Sequence, residues 1–172
     1  MKQIIKGQKL SLEKEVNSSF FSVGFKWEQD SNKCEIDTSI LLLSERGKLE
    51  KEENFIFYNN PSDQNKSITL QNSSQNNYKK NINVDLSKIP LDVFKILFVI
   101  TVDNTNDKSY AFGNVKNIIA DICINNSTVL QYQIEGLTKE TAFIAIEIYK
   151  HNQEWKIQAV GDGFNAGLDV IL

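Results

Sequence analysis

A chain of 172 residues with 41% hydrophobic and 24% charged residues has the size and composition of one globular domain able to bury its own core. Its net charge of −3 and pI near 5.3 exclude the basic surface that nonspecific nucleic-acid binding requires. No run approaches about 18 consecutive apolar residues, and the opening MKQIIKGQKLSLEKE has no signal-peptide core, so neither a membrane span nor a secretory leader is predicted.

Strand side chains alternate faces with a period of two, and this pattern organises the chain. Residues 8–13 predict a first strand, with Leu10 and Leu12 on one face and Gly7 as a preceding turn signal. Residues 20–27 predict a second, with Phe21, Val23, Phe25 and Trp27 in register on one face. Asp30, Ser31 and Asn32 end it with loop chemistry. The next strand, 34–43, places Cys34, Ile36, Thr38, Ile40 and Leu42 on one side. Its other side carries Glu35, Asp37, Ser39, Leu41 and Leu43, acidic at the start and apolar at the end. Such a strand ends buried on both faces and opens onto something polar. Residues 44–48 then predict a tight turn at Gly47, and residues 54–58 a return strand stopped at Pro61.

Residues 62–81 are polar, and only Ile68, Thr69 and Leu70 predict a strand there. Ile82, Val84 and Leu86 resume the alternation before a corner at 87–92. KILFVITV, residues 95–102, is apolar on both faces and predicts a central strand. After an Asn-rich loop and a packed turn at Phe112, Gly113 and Asn114, strands are predicted at 118–124, 129–134, 141–149 and 154–160. Gly161, Asp162 and Gly163 are expected to break the last one, with 164–172 closing as a short helix. The prediction is an all-β fold: a two-sheet β-sandwich of about ten short antiparallel strands with little helix, forming one domain over 1–172. A closed barrel is the alternative.

Glu35 and Asp37 project from one strand face with Cα atoms about 6.5–7 Å apart, twice the rise per residue. That spacing suits two oxygen donors converging on a hard cation such as calcium. It equally suits two solvated carboxylates. Asp30, Asn32, Asp63 and Asn65 are the further oxygen donors near in sequence. His151, the one histidine, falls in a predicted turn, and Cys34 and Cys123 both fall in apolar strands, so no nucleophile–base pair can be assembled. The two thiols read as buried and reduced, as in a cytosolic protein.

The blocks GFKWEQDSNKCEIDTSILLL, ENFIFYNN, INVDLSKIP, FGNVKN and ETAFIAIEIYKHNQEWKIQAVGDGF occur in an order that resembles the TerD-like tellurium-resistance and stress-response family over nearly the whole chain. The resemblance implies a calcium-binding β-sandwich of the bacterial cytoplasm without a catalytic mechanism. It also implies calcium ligands of two kinds: an Asp-x-Asp pair at a strand entrance and an acidic loop before the VDL strand. Here the first acid of the pair is Glu35. The loop reads Leu70-Gln71-Asn72, then Tyr78-Lys79-Lys80-Asn81. Lysine has no acceptor lone pair, and two ammonium groups in place of two carboxylates shift the local charge by about four units. At least one family calcium site is therefore expected to be absent; either Lys79 or Lys80 stands where the ion would be and neutralises Glu35 and Asp37, or both lysines are solvated. The expected function is a non-enzymatic, cytoplasmic stress-response binding protein with a protein partner. The alternatives are a small-molecule or carbohydrate hydrolase using Asp37, and a membrane-surface adaptor in which Lys79 and Lys80 meet anionic lipid.

Overall fold

The computed structural model describes residues 1–30, 32–71 and 76–165. Ser31, the stretch 72–75 that includes Asn72, and 166–172 lie outside the described residues; of the short helix expected at 164–172, Phe164 instead ends a strand and the rest beyond residue 165 is not described. Among the described residues there are twelve strands. In chain order they are β1 (Lys2–Ile4), β2 (Lys9–Ser11), β3 (Phe20–Gln29), β4 (Glu35–Leu43), β5 (Phe55–Ile56) and β6 (Ile68–Leu70). Then come β7 (Lys80–Asp85), β8 (Lys95–Asp103), β9 (Val115–Ile124), β10 (Ser127–Ile134), β11 (Ala142–His151) and β12 (Glu154–Phe164). They form two six-stranded sheets, ordered β1-β10-β9-β3-β7-β6 and β2-β12-β11-β8-β4-β5. The result is the expected all-β sandwich.

The alternation read from the sequence is what closes the two layers. Phe21, Val23 and Phe25 of β3 and Ile96, Phe98 and Ile100 of β8 are fully buried or nearly so. Phe25 and Phe98, one from each sheet, meet with ring centroids 6.5 Å apart. Phe112 packs edge-on against Phe143 at 4.8 Å. The apolar second face of β4 also finds cover. Leu41, Leu43, Leu97 and Val99 form a smaller cluster on the outside of their sheet, under Leu49, Phe55 and Ile144. The connection after Gly47 (φ 75°) folds back to supply that cover. The outer strands β1, β2, β5 and β6 are two or three residues long. Little unpaired backbone is thus offered to a neighbouring chain.

Several expected details differ. The first predicted strand splits: only Lys9–Ser11 is extended, and Leu12–Glu15 forms one helical turn, α1. Ser11 caps it by accepting the Lys14 N–H, a local bond that competes with strand continuation. The strand β1 was not anticipated, and it pairs with β10 in parallel rather than antiparallel. The return strand shrinks to Phe55–Ile56, because Asn54 belongs to a 3₁₀ turn and Phe57 bridges only to Asn60. Gly161, Asp162 and Gly163 do not end the last strand. A bulge near Ile144 absorbs the irregularity, Gly161 taking a φ of 78°, and β12 runs on to Phe164.

Thr38 sits on the interior face of β4, 2% exposed, and its hydroxyl has no hydrogen-bond partner. An unmet buried hydroxyl costs about 1–3 kcal/mol. Thr38→Val keeps the shape and removes the polar atom. Thermal melts should show it more stable by about 1 kcal/mol; a lower Tm would mean that the hydroxyl has a partner.

Candidate functional site

The open mouth of the sandwich at the beginning of β4 brings together most of the polar residues singled out in the sequence. β3 fixes the register of β7, placing Phe25 opposite Lys80, Val23 opposite Ile82 and Phe21 opposite Val84. Lys80 therefore occupies a position on the face that turns Ile82 and Val84 into the core. The ladder between β4 and β8 sets Glu35 opposite Asp103 and Asp37 opposite Thr101. β5 pairs only with Ile40 and Leu41, so it does not cover the start of β4. The Lys80 ammonium reaches this uncovered edge and lies 3.8 Å from Asp37 Oδ1. The two side chains are 29% and 38% exposed. One ion pair thus spans the two layers at this end.

Asn32, Glu35, Asp37, Lys79 and Lys80 line one open groove of about 370 Å³, with Trp27 against them. The Lys79 backbone donates to the Phe25 carbonyl at 2.8 Å while its side chain stays exposed. Asp30 is exposed at the end of β3 and is not part of this lining. Glu35 faces Asp103 across the ladder, and like charges placed opposite repel. Asp103 accepts the N–H and hydroxyl of Thr105 at 3.0 and 2.8 Å, which holds its carboxyl below its usual range. Asp107 is lowered in the same way by the hydroxyl and N–H of Ser109. Both carboxylates fasten the loop after β8.

The other two sequence candidates do not join the site. Asp63 is 2% exposed and accepts the Ser67 hydroxyl at 2.6 Å and the Ile68 N–H at 2.9 Å. Asn65 donates to the Lys88 carbonyl. Ser67 accepts the N–H of Asp85, at the far end of β7 from Lys80, so both belong to the other end of that strand.

Calcium requires six to eight oxygens, several of them anionic. Among the described residues, no three His, Cys, Asp or Glu side chains gather into a cluster able to hold a metal. The donor-only ammonium of Lys80 stands against the one partly buried acid of the groove. As arranged, the groove does not fit a calcium ion.

Behind the groove lies a polar network that sequence reasoning missed. Tyr78, 7% exposed, lies on the outer face of β3 and donates its hydroxyl to Asp121 at 2.6 Å. Asp121, 1% exposed, also accepts from Gln131 at 2.8 Å. The Tyr78 hydroxyl lies 3.4 Å from Cys123 Sγ, and the Lys26 ammonium sits 4.7 Å over the ring. Burial first, then the bond to Asp121, pushes the Tyr78 hydroxyl far above its ordinary pKa. Gly24 makes the seat: a Cβ there would stand 2.7 Å from the ring. A mid-strand glycine was the available signal.

The TerD domain profile matches residues 1–172. The chain belongs to the TerD family. It is 36% identical to general stress protein 16U of Bacillus subtilis over 96% of this chain and 92% of that one. It is 32% identical to tellurium resistance protein TerD of Serratia marcescens, over 95% of this chain and 91% of that one. The crystal structure of a homologue of the telluride resistance protein from Streptomyces coelicolor A3(2) superposes with a TM-score of 0.72 over 88% of this chain and 94% of that one. At 13% identity that likeness concerns the TerD sandwich alone.

Proposed function

We propose that this TerD-family chain is a non-enzymatic, cytoplasmic stress-response protein of the tellurium-resistance type that works by binding a protein partner. In it, Lys80 takes the place of a calcium ion beside Asp37. The observation that carries this reading is the contact of 3.8 Å between Lys80 Nζ and Asp37 Oδ1 across the two sheets. A resident ammonium supplies the positive charge that an ion would otherwise bring, and it makes the groove independent of calcium concentration. The names of the relatives support the stress and tellurium setting. His151 is not in the expected turn but is the exposed last residue of β11, and Cys34 and Cys123 are buried free thiols. Among the described residues, these thiols and this imidazole form no thiol–imidazole pair.

The hydrolase reading needs Asp37 buried beside a deep pocket, whereas Asp37 is 38% exposed on an open groove and faces an ammonium. The membrane-adaptor reading needs two free lysines, whereas Lys80 is paired. Among the described residues, no helix is long and apolar enough to cross a membrane.

Calorimetry and melting test the proposal together. Lys80→Ala should destabilise the fold by up to about 1 kcal/mol, a fall in Tm of roughly 2–4 °C, and the loss should shrink as salt is added. Calcium titrated into the wild-type chain should give no heat that Asp37→Ala abolishes. Micromolar binding that disappears in Asp37→Ala, or a Tm indifferent to Lys80→Ala, would refute it.

A further inference from the structure

The opposite end of the sandwich carries a second cavity that the groove does not explain. Glu35 lies at the Asp103 end of β8, whereas Leu43 and Tyr149 lie at its Lys95 end. Eight residue steps, roughly 26 Å, separate the two ends. There, α1, the segment before β3, the turn after β7 and the β11–β12 hairpin flank an open groove of about 460 Å³. This volume falls within the range of small-molecule sites.

The lining has two characters. Leu12, Leu86 and the Trp155 ring are apolar. The remaining lining residues are polar: Ser18, Ser19, Ser87, Asn17, Gln153, Glu13 and Glu154, with the Ser18 hydroxyl donating to the Phe20 carbonyl and the Ser87 hydroxyl to Asp85. No lysine or arginine is among the walls. The two carboxylates therefore disfavour an anionic ligand. The Trp155 ring already carries the Lys150 ammonium, 5.0 Å from its centroid, which uses the attraction a cationic ligand would seek. An apolar ligand would leave the polar side unmet. Hydroxyl groups both donate and accept, so a ligand bearing several of them matches this mixture, with its C–H face on the indole.

Parts of the site are held in advance. Glu154 accepts the Ser11 hydroxyl, which ties the hairpin to the cap of α1. Asn17 (φ 54°) and Gln153 (φ 65°) are both exposed and in the left-handed region.

We propose that this cavity binds a neutral polyhydroxylated small molecule of mono- or disaccharide size. The proposal stands whether or not Lys80 replaces calcium at the other end. The chain has two tryptophans, so NMR shows two indole N–H signals, and Trp155→Phe identifies which belongs to the cavity. Titration with trehalose, maltose or sorbitol should shift the Trp155 signal saturably. Choline and glucose 6-phosphate should not. Glycine accepts both left-handed positions without strain. The double variant Asn17→Gly/Gln153→Gly should therefore keep its Tm and bind the responding sugar about tenfold more weakly. No saturable shift with any neutral polyol would overturn the proposal. So would preferential binding of choline or the sugar phosphate, or wild-type affinity in the folded double variant. If the double variant does not fold, the wild-type titration decides by itself.

Discussion

Replacing Gly24 with alanine should destabilise the fold by about 3 kcal/mol, the upper end for overpacking a close contact. The new Cβ would stand 2.7 Å from the Tyr78 ring, so the ring must leave its seat on β3. With it goes the 2.6 Å bond to Asp121, which would keep the Gln131 amide as a side-chain donor in a nearly dry position. Tyr78→Phe removes the hydroxyl but keeps the ring, and should cost about 1–3 kcal/mol. Because both changes break one contact, the double variant should lose less than the sum of the two. Urea titrations of the four proteins make the comparison; additive losses would show that Gly24 does not act through Tyr78.

The same network makes an alkaline prediction. Burial, then Asp121, raises the Tyr78 pKa in the folded state above its ordinary 10.0. Above pH 10 the unfolded chain releases this proton and the folded chain keeps it. The folded state then binds more protons, so stability falls as pH rises. The contribution is complete below the ordinary value and is lost progressively above it. Burial also raises Tyr132 and Tyr149, so Tyr78→Phe should remove part of the fall in stability above about pH 10, not all of it. An unchanged slope would mean that Tyr78 ionises freely.

Period-two patterning made the sandwich readable because each buried face had to be apolar. Phe21, Val23, Phe25 and Trp27 could not sit on a solvated face, and the change from Glu35 and Asp37 to Leu41 and Leu43 marked where cover begins. What patterning cannot supply is the partner of a strand. Lys2–Ile4 pairs in parallel with Leu130, Gln131 and Tyr132, over a hundred residues away, and three residues carry no signal of that choice. The helical turn Leu12–Glu15 was written in Ser11 as a cap, but the alternation of Leu10 and Leu12 concealed it. The candidate groove was legible in its residue types, and its geometry came from register. Lys80 belongs to the series Lys80, Ile82, Val84, an interior series with a charge at its first place, which already hinted at a counter-charge near the mouth. That the counter-charge is Asp37, from the other sheet, follows only from how the two layers stack. Asp63 shows the opposite error: a carboxylate in a polar loop that looked like a metal donor caps its own turn through Ser67 and Ile68.

Reversing the charge of that one residue should make the fold depend on calcium. In Lys80→Asp the ammonium beside Asp37 gives way to a carboxylate, so the groove holds three acids, with the Asn32 side chain also among its walls. Without calcium the variant should melt below wild type, since the pair is lost and like charges are forced together. With calcium at about a hundred times its Kd, the native state should regain roughly 2.7 kcal/mol, which more than offsets the loss of a half-exposed ion pair. The measurement is the Tm of wild type and variant in excess chelator and in excess calcium. A rise confined to the variant supports the view that an ammonium and a divalent ion are interchangeable at this place. A variant that melts at one temperature in both conditions would show that the groove lacks the remaining oxygens, and an equal rise in wild type would show that calcium binds with Lys80 present. The first outcome alone agrees with a groove whose geometry is kept and whose cation has become part of the chain.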